Sequence, residues 1–396
     1  MSDILFIWLH RIVSGFSFFI IIPFFVLEYE KGNLNTLIDV NQYVVIFSIL
    51  DGVLITGLSR YLRTNIDNKD KVNFASTFVF YIYCFISLAL ISTLYLSEFK
   101  YFNYVLIPIL LLPFRVVISH YFSINDISQL KKFEVINALF RLVLLFSLIY
   151  FENELELFIF FYAFTPSVIY FLLYFKVKLY KGLYIKEIDF KDVKSIFKNN
   201  LSGMFFTVPW VLFSTNAILS IPSEQINSTE SKLLLSLFIA YMGFLGAFGM
   251  SLTPKLINKA LEDKFGMYIK YVKSMLLVNF CALLVVFILP DSIYRSLISS
   301  DINSQFIKDE LVYFLFFYAI AISQAELIKS FVISTRDFLE FSLLQGCLLL
   351  VIYALSSYAT DYVQYFVYGL LVKSLFDFSY FVWRFRFDFK FLLERR

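Results

Sequence analysis

The chain has 396 residues, of which 60% are hydrophobic, 20% are aromatic and 16% are charged. Soluble domains carry about 25% charged residues, so this composition excludes an ordinary soluble protein. The formal net charge is only +3, and no nucleic-acid partner is expected.

The apolar residues form about twelve blocks of roughly 18 to 25 residues, the length that a helix needs to cross a bilayer. Because lipid offers no hydrogen-bond partners, each block must satisfy its own backbone and is predicted to be a helix. We therefore predict an all-α, polytopic membrane protein with about 12 transmembrane helices. The predicted spans are Ile4–Leu27, Leu37–Leu58, Phe74–Leu96, Phe102–Phe122, Phe133–Tyr150, Leu157–Val177, Leu201–Ile221, Leu233–Leu252, Met275–Leu289, Leu311–Ile333, Phe341–Ala359 and Val363–Trp383.

Lysine and arginine are distributed unevenly between alternate loops. The loops on the side of the two chain ends carry 24 of them, the opposite loops carry 5, and five more lie within the spans. Cytoplasmic loops carry the excess of basic residues, so both termini are predicted to face the cytoplasm. The chain begins without a basic region or a cleavage site, so its first apolar block is predicted to remain as a membrane helix.

The longest hydrophilic stretch on the cytoplasmic side lies between the sixth and seventh spans and divides the chain into two halves. Helix centres in the second half follow their counterparts in the first by about 195 to 210 residues, which favours two parallel six-helix bundles. The predicted domains are residues 1–177, a cytoplasmic linker at 178–200, and residues 201–396 with a short basic tail. Basic and apolar residues alternate in the linker, which predicts an amphipathic helix on the inner leaflet.

Several classes of function lack their sequence signals. No loop is long enough for an external catalytic domain, and neither a G-x-x-x-x-G-K-[ST] nor an H-E-x-x-H motif occurs. The three cysteines lie within apolar blocks and indicate packing rather than disulfides. His10 and His120 are the only histidines, and neither is expected to have a partner acid. Transport, lipid translocation, channel activity or intramembrane catalysis remain, and we expect a non-enzyme without cofactor or metal.

Three groups of polar residues within the spans have partners at helical spacing. Because a charge in hydrocarbon costs roughly 2.5 to 3.5 kcal/mol, such residues face a partner or a water-filled cavity. One interpretation is mutual neutralisation between packed helices, and the other is a coupling or counter-ion role in transport. The groups are Glu326 with Lys329, Lys373 with Asp377, and Glu134 with Asn137 and Arg141.

Arg11 and Arg115 have no acidic neighbour at helical spacing. Both lie about seven residues from the cytoplasmic end of their spans, which is roughly 10 Å deep. In one interpretation, the apolar part of each side chain lies in lipid and the guanidinium reaches the interface. In the other, both residues line a cytoplasmic cavity and bind phosphate oxygens. Asp51 is an isolated carboxylate near mid-membrane and is interpreted as a counter-ion for Arg11 or Arg115, as a proton- or cation-binding coupling group, or as an interhelical hydrogen-bond partner.

Twelve spans in two halves, with both ends inside and short loops, resemble the polysaccharide flippases of the Wzx type. These flippases belong to the multidrug/oligosaccharidyl-lipid/polysaccharide exporter superfamily. The second span ends in Asp51-Gly52-Val53-Leu54-Ile55-Thr56-Gly57-Leu58-Ser59-Arg60, which is similar to the family's D-x-G-hydrophobic-arginine ending. The eighth span ends in Leu252-Thr253-Pro254-Lys255-Leu256, which looks like the family's proline followed by a short basic loop.

The resemblance implies translocation of an undecaprenyl-pyrophosphate-linked oligosaccharide unit across the bacterial inner membrane. Movement from the cytoplasmic to the periplasmic leaflet would proceed by alternating access around a cationic cavity, coupled to an ion gradient. Arg11 and Arg115 would receive the lipid pyrophosphate, and Arg141 would extend the path. The implied partners are the lipid-linked oligosaccharide, inner-membrane lipids, a polysaccharide polymerase and a chain-length regulator.

Two alternatives remain open. A polysaccharide polymerase or ligase is a bacterial inner-membrane protein of similar size, but it usually carries a large periplasmic loop with catalytic arginines. Another secondary transporter, such as a major-facilitator protein, shares the twelve-helix plan. It would be expected to show a G-x-x-x-D-R-x-G-R-type loop after the second span, which residues 59–64 lack.

Overall fold

The computed structural model describes residues 2–47, 49–124, 126–177, 190–222, 227–256, 261–288, 309, 320–333, 338–359 and 361–394. All regular secondary structure in these ranges is helical. The all-α fold class that the apolar blocks predict is therefore confirmed, and each predicted span overlaps a helix.

The first half of the chain contains eight α-helices and two distorted turns within the described ranges. A π-helical turn, Asp51–Ile55, precedes α3, and a 3-10 turn, Leu112–Arg115, joins α5 to α6. The helices are α1 (Ser2–Tyr29), α2 (Lys31–Phe47), α3 (Thr56–Thr64), α4 (Lys69–Leu96), α5 (Phe102–Leu110), α6 (Val116–Ser123), α7 (Ile127–Tyr150) and α8 (Leu155–Val177).

The second half contains six α-helices within the described ranges. A 3-10 turn, Leu355–Tyr358, follows the fifth of them. The helices are α9 (Phe190–Leu219), α10 (Ser228–Leu256), α11 (Leu261–Ile288), α12 (Ile320–Ile333), α13 (Phe338–Ala354) and α14 (Tyr362–Glu394).

Six helical segments in the described ranges are long and apolar enough to span a membrane, and a bent pair raises the number to seven. Large apolar side chains are exposed along them, such as Phe85 (75%), Leu277 (63%) and Leu375 (65%). Apolar surface of this kind is stable against lipid rather than water. The protein is therefore a multi-pass membrane protein, and the count of twelve crossings stays a prediction.

Part of the predicted linker is described by the structure. Helix α9 begins at Phe190, so residues 190–200 are helical and continuous with the seventh span, while 178–189 lie outside the described residues. Ile196 is buried, and the Phe197 ring contacts the ring of Phe78 on α4 with centroids 6.5 Å apart. Residues 190–200 therefore carry an apolar side that packs against the first unit's helix α4.

By internal contacts the chain forms two compact units. The first comprises Met1–Ser17 and Glu28–Val211, and the second comprises Phe18–Leu27 and Leu212–Arg396. The predicted division into residues 1–177, 178–200 and 201–396 stays a prediction.

Aromatic pairs contribute to the packing of both units. In the first unit the rings of Phe80, Phe114 and Tyr174 contact one another with centroids 5.2 to 5.7 Å apart, and both pairs that include Phe114 are edge-to-face. In the second unit Phe331 contacts Phe381 and Phe385 at 5.3 and 5.2 Å. Edge-to-face pairs of this kind add about 0.5–1.5 kcal/mol each beyond the area that they bury.

Helix α5 and the segment Leu112–Ser123 meet at an angle of 44°. Pro113 lies at this break, and proline has no backbone N–H to continue the helical hydrogen bonds. Because of this break, Arg115 lies directly before the start of α6.

Candidate functional site

A partly buried ion pair joins the two distorted turns of the first unit. Nη2 of Arg115 lies 2.5 Å from Oδ2 of Asp51, and the two side chains are 15% and 21% exposed. The hydroxyl of Tyr83 on α4 donates a hydrogen bond to Oδ1 of Asp51 at 3.2 Å. Both oxygens of the carboxylate therefore have a partner, as a charge away from water requires.

The backbone explains why these side chains meet. Asp51 opens a π-helical turn, a distortion that occurs often at functional sites. Arg115 ends the 3-10 turn that follows the break at Pro113. Each charged residue therefore lies at the point where its span is interrupted.

A second charged cluster surrounds Glu134 on α7. Its Oε2 lies 2.5 Å from Nζ of Lys131 and 3.2 Å from Nε2 of His10 on α1. The hydroxyl of Tyr170 on α8 donates to Oε1 at 3.0 Å. Glu134 is 6% exposed, so three helices supply partners to one buried carboxylate.

Tyr170 connects the two charged groups. Its hydroxyl belongs to the Glu134 cluster, while its ring lies under Arg115, with Cζ 5.1 Å from the ring centroid. We call the ensemble of Asp51, Arg115, Lys131, Glu134, His10 and Tyr170 the buried charge network. Tyr170 therefore contacts one carboxylate directly and contacts the arginine that pairs with the other.

A small cavity of about 90 Å³ adjoins this network. A water molecule occupies about 30 Å³ in the liquid, so the cavity is of the size of one small polar group. Its lining combines apolar helix surface with acidic, basic and amide side chains. The lining residues are His10, Ser14, Glu134, Asn137, Ala138, Arg141, Pro166, Ile169 and Tyr170.

Arg141 lines the cavity and has spare hydrogen-bonding capacity. Its Cζ lies 3.9 Å from the ring centroid of Tyr162, which supports the guanidinium plane. Its Nε and Nη2 are buried and have no hydrogen-bond partner in the part of the chain that the structure describes. These two nitrogens form one edge of the guanidinium, the fork that binds carboxylate or phosphate with two parallel hydrogen bonds.

The charges of the described residues in this region do not cancel. Asp51 and Glu134 carry two negative charges, while Arg115, Lys131 and Arg141 carry three positive ones. The excess charge lies at Arg141, whose fork has no acidic partner among the described residues. The arrangement is therefore suited to receive an oxyanion.

The structure brings several predicted residues together. Asp51 contacts Arg115, one of the two arginines named as its counter-ion. Lys373 and Asp377 form an ion pair at 2.8 Å within α14. Glu134 contacts Lys131 and His10, whereas Arg141 lies further along α7 at the cavity.

Two predicted residues lie outside the described side chains. These are Arg11, on α1, and Glu326, on α12. Lys329 is half-buried on α12. The roles predicted for all three stay predictions.

The expectation that His10 has no partner acid was wrong, because Glu134 lies 3.2 Å away. The partners are 124 residues apart, and no spacing rule links them. The distance of each residue from the start of its helix is the signal that could have found them. His10 lies eight residues into α1 and Glu134 seven residues into α7, but the predicted fifth span starts at Phe133 and hides this match.

The chain is similar to solved transporter structures. No protein-family model and no curated protein sequence matches it. An inward-facing multidrug resistance MATE family transporter of the MOP superfamily matches with a TM-score of 0.56 and 12% identity, over 98% of this chain and 95% of the other. An outward-facing one matches with a TM-score of 0.62 and 12% identity, over 100% and 96%.

A third structure is described as a MOP superfamily transporter from Pyrococcus furiosus with reverse polarity of its binding pocket. It matches with a TM-score of 0.54 and 11% identity, over 97% of this chain and 98% of the other. At such identities the likeness establishes the fold. The chain therefore has the polytopic fold of the MATE transporters of the MOP superfamily.

Proposed function

We propose that this protein is a flippase that moves an undecaprenyl-pyrophosphate-linked oligosaccharide unit from the cytoplasmic to the external leaflet of the bacterial inner membrane. Movement would proceed by alternating access and draw on an ion gradient. Solved structures of the same fold carry the descriptions inward-facing and outward-facing, which supports alternating access as the mechanism.

The open guanidinium fork of Arg141 is the observation that carries the proposal. A buried guanidinium edge without partners is costly, because an unmade hydrogen bond leaves about 1–3 kcal/mol of desolvation uncompensated. A phosphoryl oxygen pair entering the cavity would satisfy both donors and neutralise the excess positive charge. The diphosphate of a lipid-linked sugar offers this chemistry at the membrane, whereas the apolar tail can stay in lipid.

Arg115 supplies a second contact of the same kind. It donates Nη2 to Asp51, while its Nε has no hydrogen-bond partner among the described residues. A phosphate that approached Arg115 would compete with Asp51 for the guanidinium. Release of Asp51 would then couple substrate binding to the π-helical turn that begins at that residue.

The charge balance also bears on the alternative of drug export. The structural neighbours include multidrug resistance transporters, and such a function would place a small drug where we place the lipid head group. The excess positive charge around Arg141 opposes a cationic drug and favours an anionic substrate.

The fork of Arg141 can be tested with two substitutions at the same position. In proteoliposomes that contain the purified protein and a lipid-linked oligosaccharide, Arg141→Ala should slow the appearance of sugar at the outer leaflet by about 10- to 100-fold, which corresponds to losing about 1.5–3 kcal/mol of charged hydrogen bonding. Arg141→Lys keeps the charge but lacks the fork, and it should recover only part of the rate. Outer-leaflet sugar is measured with an externally added glycosidase.

Arg63→Ala is the matched control, because Arg63 is exposed at the end of α3 and lies outside the network. It should leave the rate unchanged. Equal rates for the wild type, Arg141→Ala and Arg141→Lys would overturn the phosphate role of Arg141. Transport of an organic cation without any lipid-linked sugar movement would favour the drug-export alternative.

A further inference from the structure

A groove lies between α13 and α14 in the second unit, next to the start of α14. Its volume is about 350 Å³. One water molecule occupies about 30 Å³ in the liquid, so the groove has room for part of an organic molecule rather than for a single ion. Two of its lining residues, Leu355 and Tyr358, are 53% and 83% exposed. The groove is therefore open along its rim.

Helical spacing explains the wall that α14 contributes. Asp361, Gln364, Tyr368 and Val372 line the groove and follow one another at intervals of three or four residues. Residues at these intervals share one face of a helix. The wall therefore begins with a carboxylate and an amide, continues with an aromatic ring, and ends with an apolar side chain.

The opposite wall is built in the same way. Ile352 and Leu355 line the groove, and Tyr358 follows at the end of the 3-10 turn. The hydroxyl of Tyr365 on α14 donates a hydrogen bond to the backbone carbonyl of Ile352 at 2.8 Å, and its ring contacts Phe213 with centroids 5.7 Å apart. Tyr365 thus joins the two walls, so the groove is a fixed part of the fold.

The polarity of the groove changes along its length. Val372 follows Asp361 by eleven residues, which is roughly 16 Å along a helix. Because the C-terminus is predicted to be cytoplasmic and α14 is the last span, the end at Asp361 lies on the predicted external side. A polar end near the membrane surface and an apolar end deeper in the membrane match the head group and the acyl chain of a lipid.

The carboxylate of Asp361 has one oxygen to spare. Its Oδ1 accepts hydrogen bonds from the backbone N–H groups of Val363 and Gln364 at 2.9 and 3.1 Å, and thereby caps α14. Its Oδ2 has no partner among the described residues. Asp361 is also the one charged residue among those that line the groove, and residues 337–372 include neither lysine nor arginine.

This combination of groups selects a cation. A carboxylate oxygen accepts strong hydrogen bonds from an ammonium group, and the faces of aromatic rings attract the same charge. Tyr358 and Tyr368, both exposed, supply such rings on the two walls. A head group that carries only negative charge would instead be repelled by Asp361.

We propose that the groove binds one phospholipid of the external leaflet whose head group ends in a primary ammonium, as in phosphatidylethanolamine. The ammonium contacts Oδ2 of Asp361 and the rings of Tyr358 and Tyr368, while an acyl chain lies along Leu355 and Val372. The site uses no residue of the buried charge network and does not involve Arg141. Lipid binding here can therefore fail while the flippase proposal stands, and the reverse also holds.

The test is native mass spectrometry of the full-length protein, delipidated in detergent and titrated with lipids that have identical acyl chains. Phosphatidylethanolamine should bind once with about tenfold higher affinity than phosphatidylcholine or phosphatidylglycerol, because it alone combines a positive charge with N–H donors. Equal affinity for phosphatidylethanolamine and phosphatidylcholine, or tighter binding of phosphatidylglycerol, would overturn the proposal.

Asp361→Asn removes the charge but keeps the helix cap, because asparagine caps helices as well as aspartate does. It should weaken the binding of phosphatidylethanolamine by about tenfold. Asp126→Asn is the matched control, since Asp126 caps α7 through the backbone N–H of Gln129 at 3.2 Å and does not line the groove. It should bind as the wild type does. Unchanged binding by Asp361→Asn would overturn the role of this carboxylate.

Substitutions at Tyr358 keep the proposal testable even if Asp361→Asn does not fold. Tyr358→Ala removes one aromatic face and should weaken the binding of phosphatidylethanolamine by about threefold, whereas Tyr358→Phe keeps the ring and should bind as the wild type does. Equal binding by all three proteins would contradict the aromatic contact. A dimer of the lipid-free wild type that Tyr358→Ala abolishes would assign the groove to a second copy of the chain and overturn the proposal.

Discussion

Tyr170 contacts both charged groups of the first unit, and each contact uses a different part of the side chain. Its hydroxyl donates to Glu134 at 3.0 Å, and its ring lies 5.1 Å from the guanidinium carbon of Arg115. The hydrogen bond and the cation–ring contact can therefore be removed one at a time.

Replacing Tyr170 separates the two contacts. Tyr170→Phe removes the hydrogen bond but keeps the ring, and we expect a loss of about 1 kcal/mol of stability. Tyr170→Leu also removes the face under Arg115 and should cost about 0.5–2 kcal/mol more. Thermal unfolding in detergent measures both, with Tyr368→Phe as control because Tyr368 is 57% exposed. Equal stability of the two Tyr170 variants would show that the ring contact contributes nothing.

The Asp51–Arg115 pair offers a second test at the residue scale. Removing one partner of a buried pair leaves an uncompensated charge, so Asp51→Asn or Arg115→Gln alone should destabilise the protein by about 3–5 kcal/mol. The double variant should be more stable than either single one, because no charge is then left alone.

Thermal unfolding of the four proteins in one detergent completes this double-mutant cycle. Additive losses from the two single substitutions would contradict the interaction between Asp51 and Arg115 across 2.5 Å. Each variant should first be shown to insert into the membrane of the expressing cell. Unfolding temperatures are then compared only between variants that inserted.

At the scale of elements, the π-helical turn lies against α9 at Gly52. A Cβ atom at position 52 would collide with the side chain of Thr207, including the Cβ atom of Thr207. Gly52 is therefore required by the close approach of two helices, which is a common use of glycine in membrane proteins. The turn that carries Asp51 thus has little freedom to move toward α9.

This contact predicts a position-specific effect of one added methyl group. Gly52→Ala should destabilise the protein by about 1–3 kcal/mol through overpacking, and a second substitution, Thr207→Gly, should restore part of the loss. Gly246→Ala is the matched control, because a Cβ there meets nothing within 4 Å. A similar fall in unfolding temperature for both alanine variants would show that helical glycines are generally needed and that the Thr207 contact is not special.

At the scale of the whole molecule, the distribution of basic residues predicts the orientation in the membrane. The loops on the side of the two termini carry 24 of the 34 lysines and arginines. Since basic loops stay in the cytoplasm, both ends should lie inside the cell.

Reporter fusions measure this orientation. Green fluorescent protein fused after residue 396 should fluoresce, while alkaline phosphatase inserted after residue 153, in the loop between α7 and α8, should be active. The same phosphatase inserted after residue 66, between α3 and α4, should be inactive. Activity at residue 66 and none at residue 153 would reverse the predicted topology.

The helical fold was accessible from the sequence, because the membrane imposes one requirement on every span. An apolar block of about 20 residues in lipid must be a helix, and each predicted span overlaps one. The boundaries were less accurate, since amphipathic turns at the helix ends carry polar residues. Helix α7 begins six residues before the predicted span, and α9 begins eleven residues before.

The candidate site was only partly accessible. Charges at helical spacing within one helix, such as Lys373 and Asp377, can be paired from the sequence because the helix geometry is known in advance. Residues on different helices, such as His10 and Glu134, cannot be paired, because their distance depends on how the helices are arranged.

The sequence by itself determined that this is a helical, multi-pass membrane protein, and it predicts which face of the membrane the termini occupy. Composition and loop charge decide these properties residue by residue against a fixed solvent, the bilayer. Only the tertiary structure decided which charges meet, that Arg141 keeps an open fork beside a cavity, and that Gln345 joins Asp377. Contacts between residues far apart in the chain depend on helix packing and on local breaks such as the one at Pro113, which no local pattern encodes.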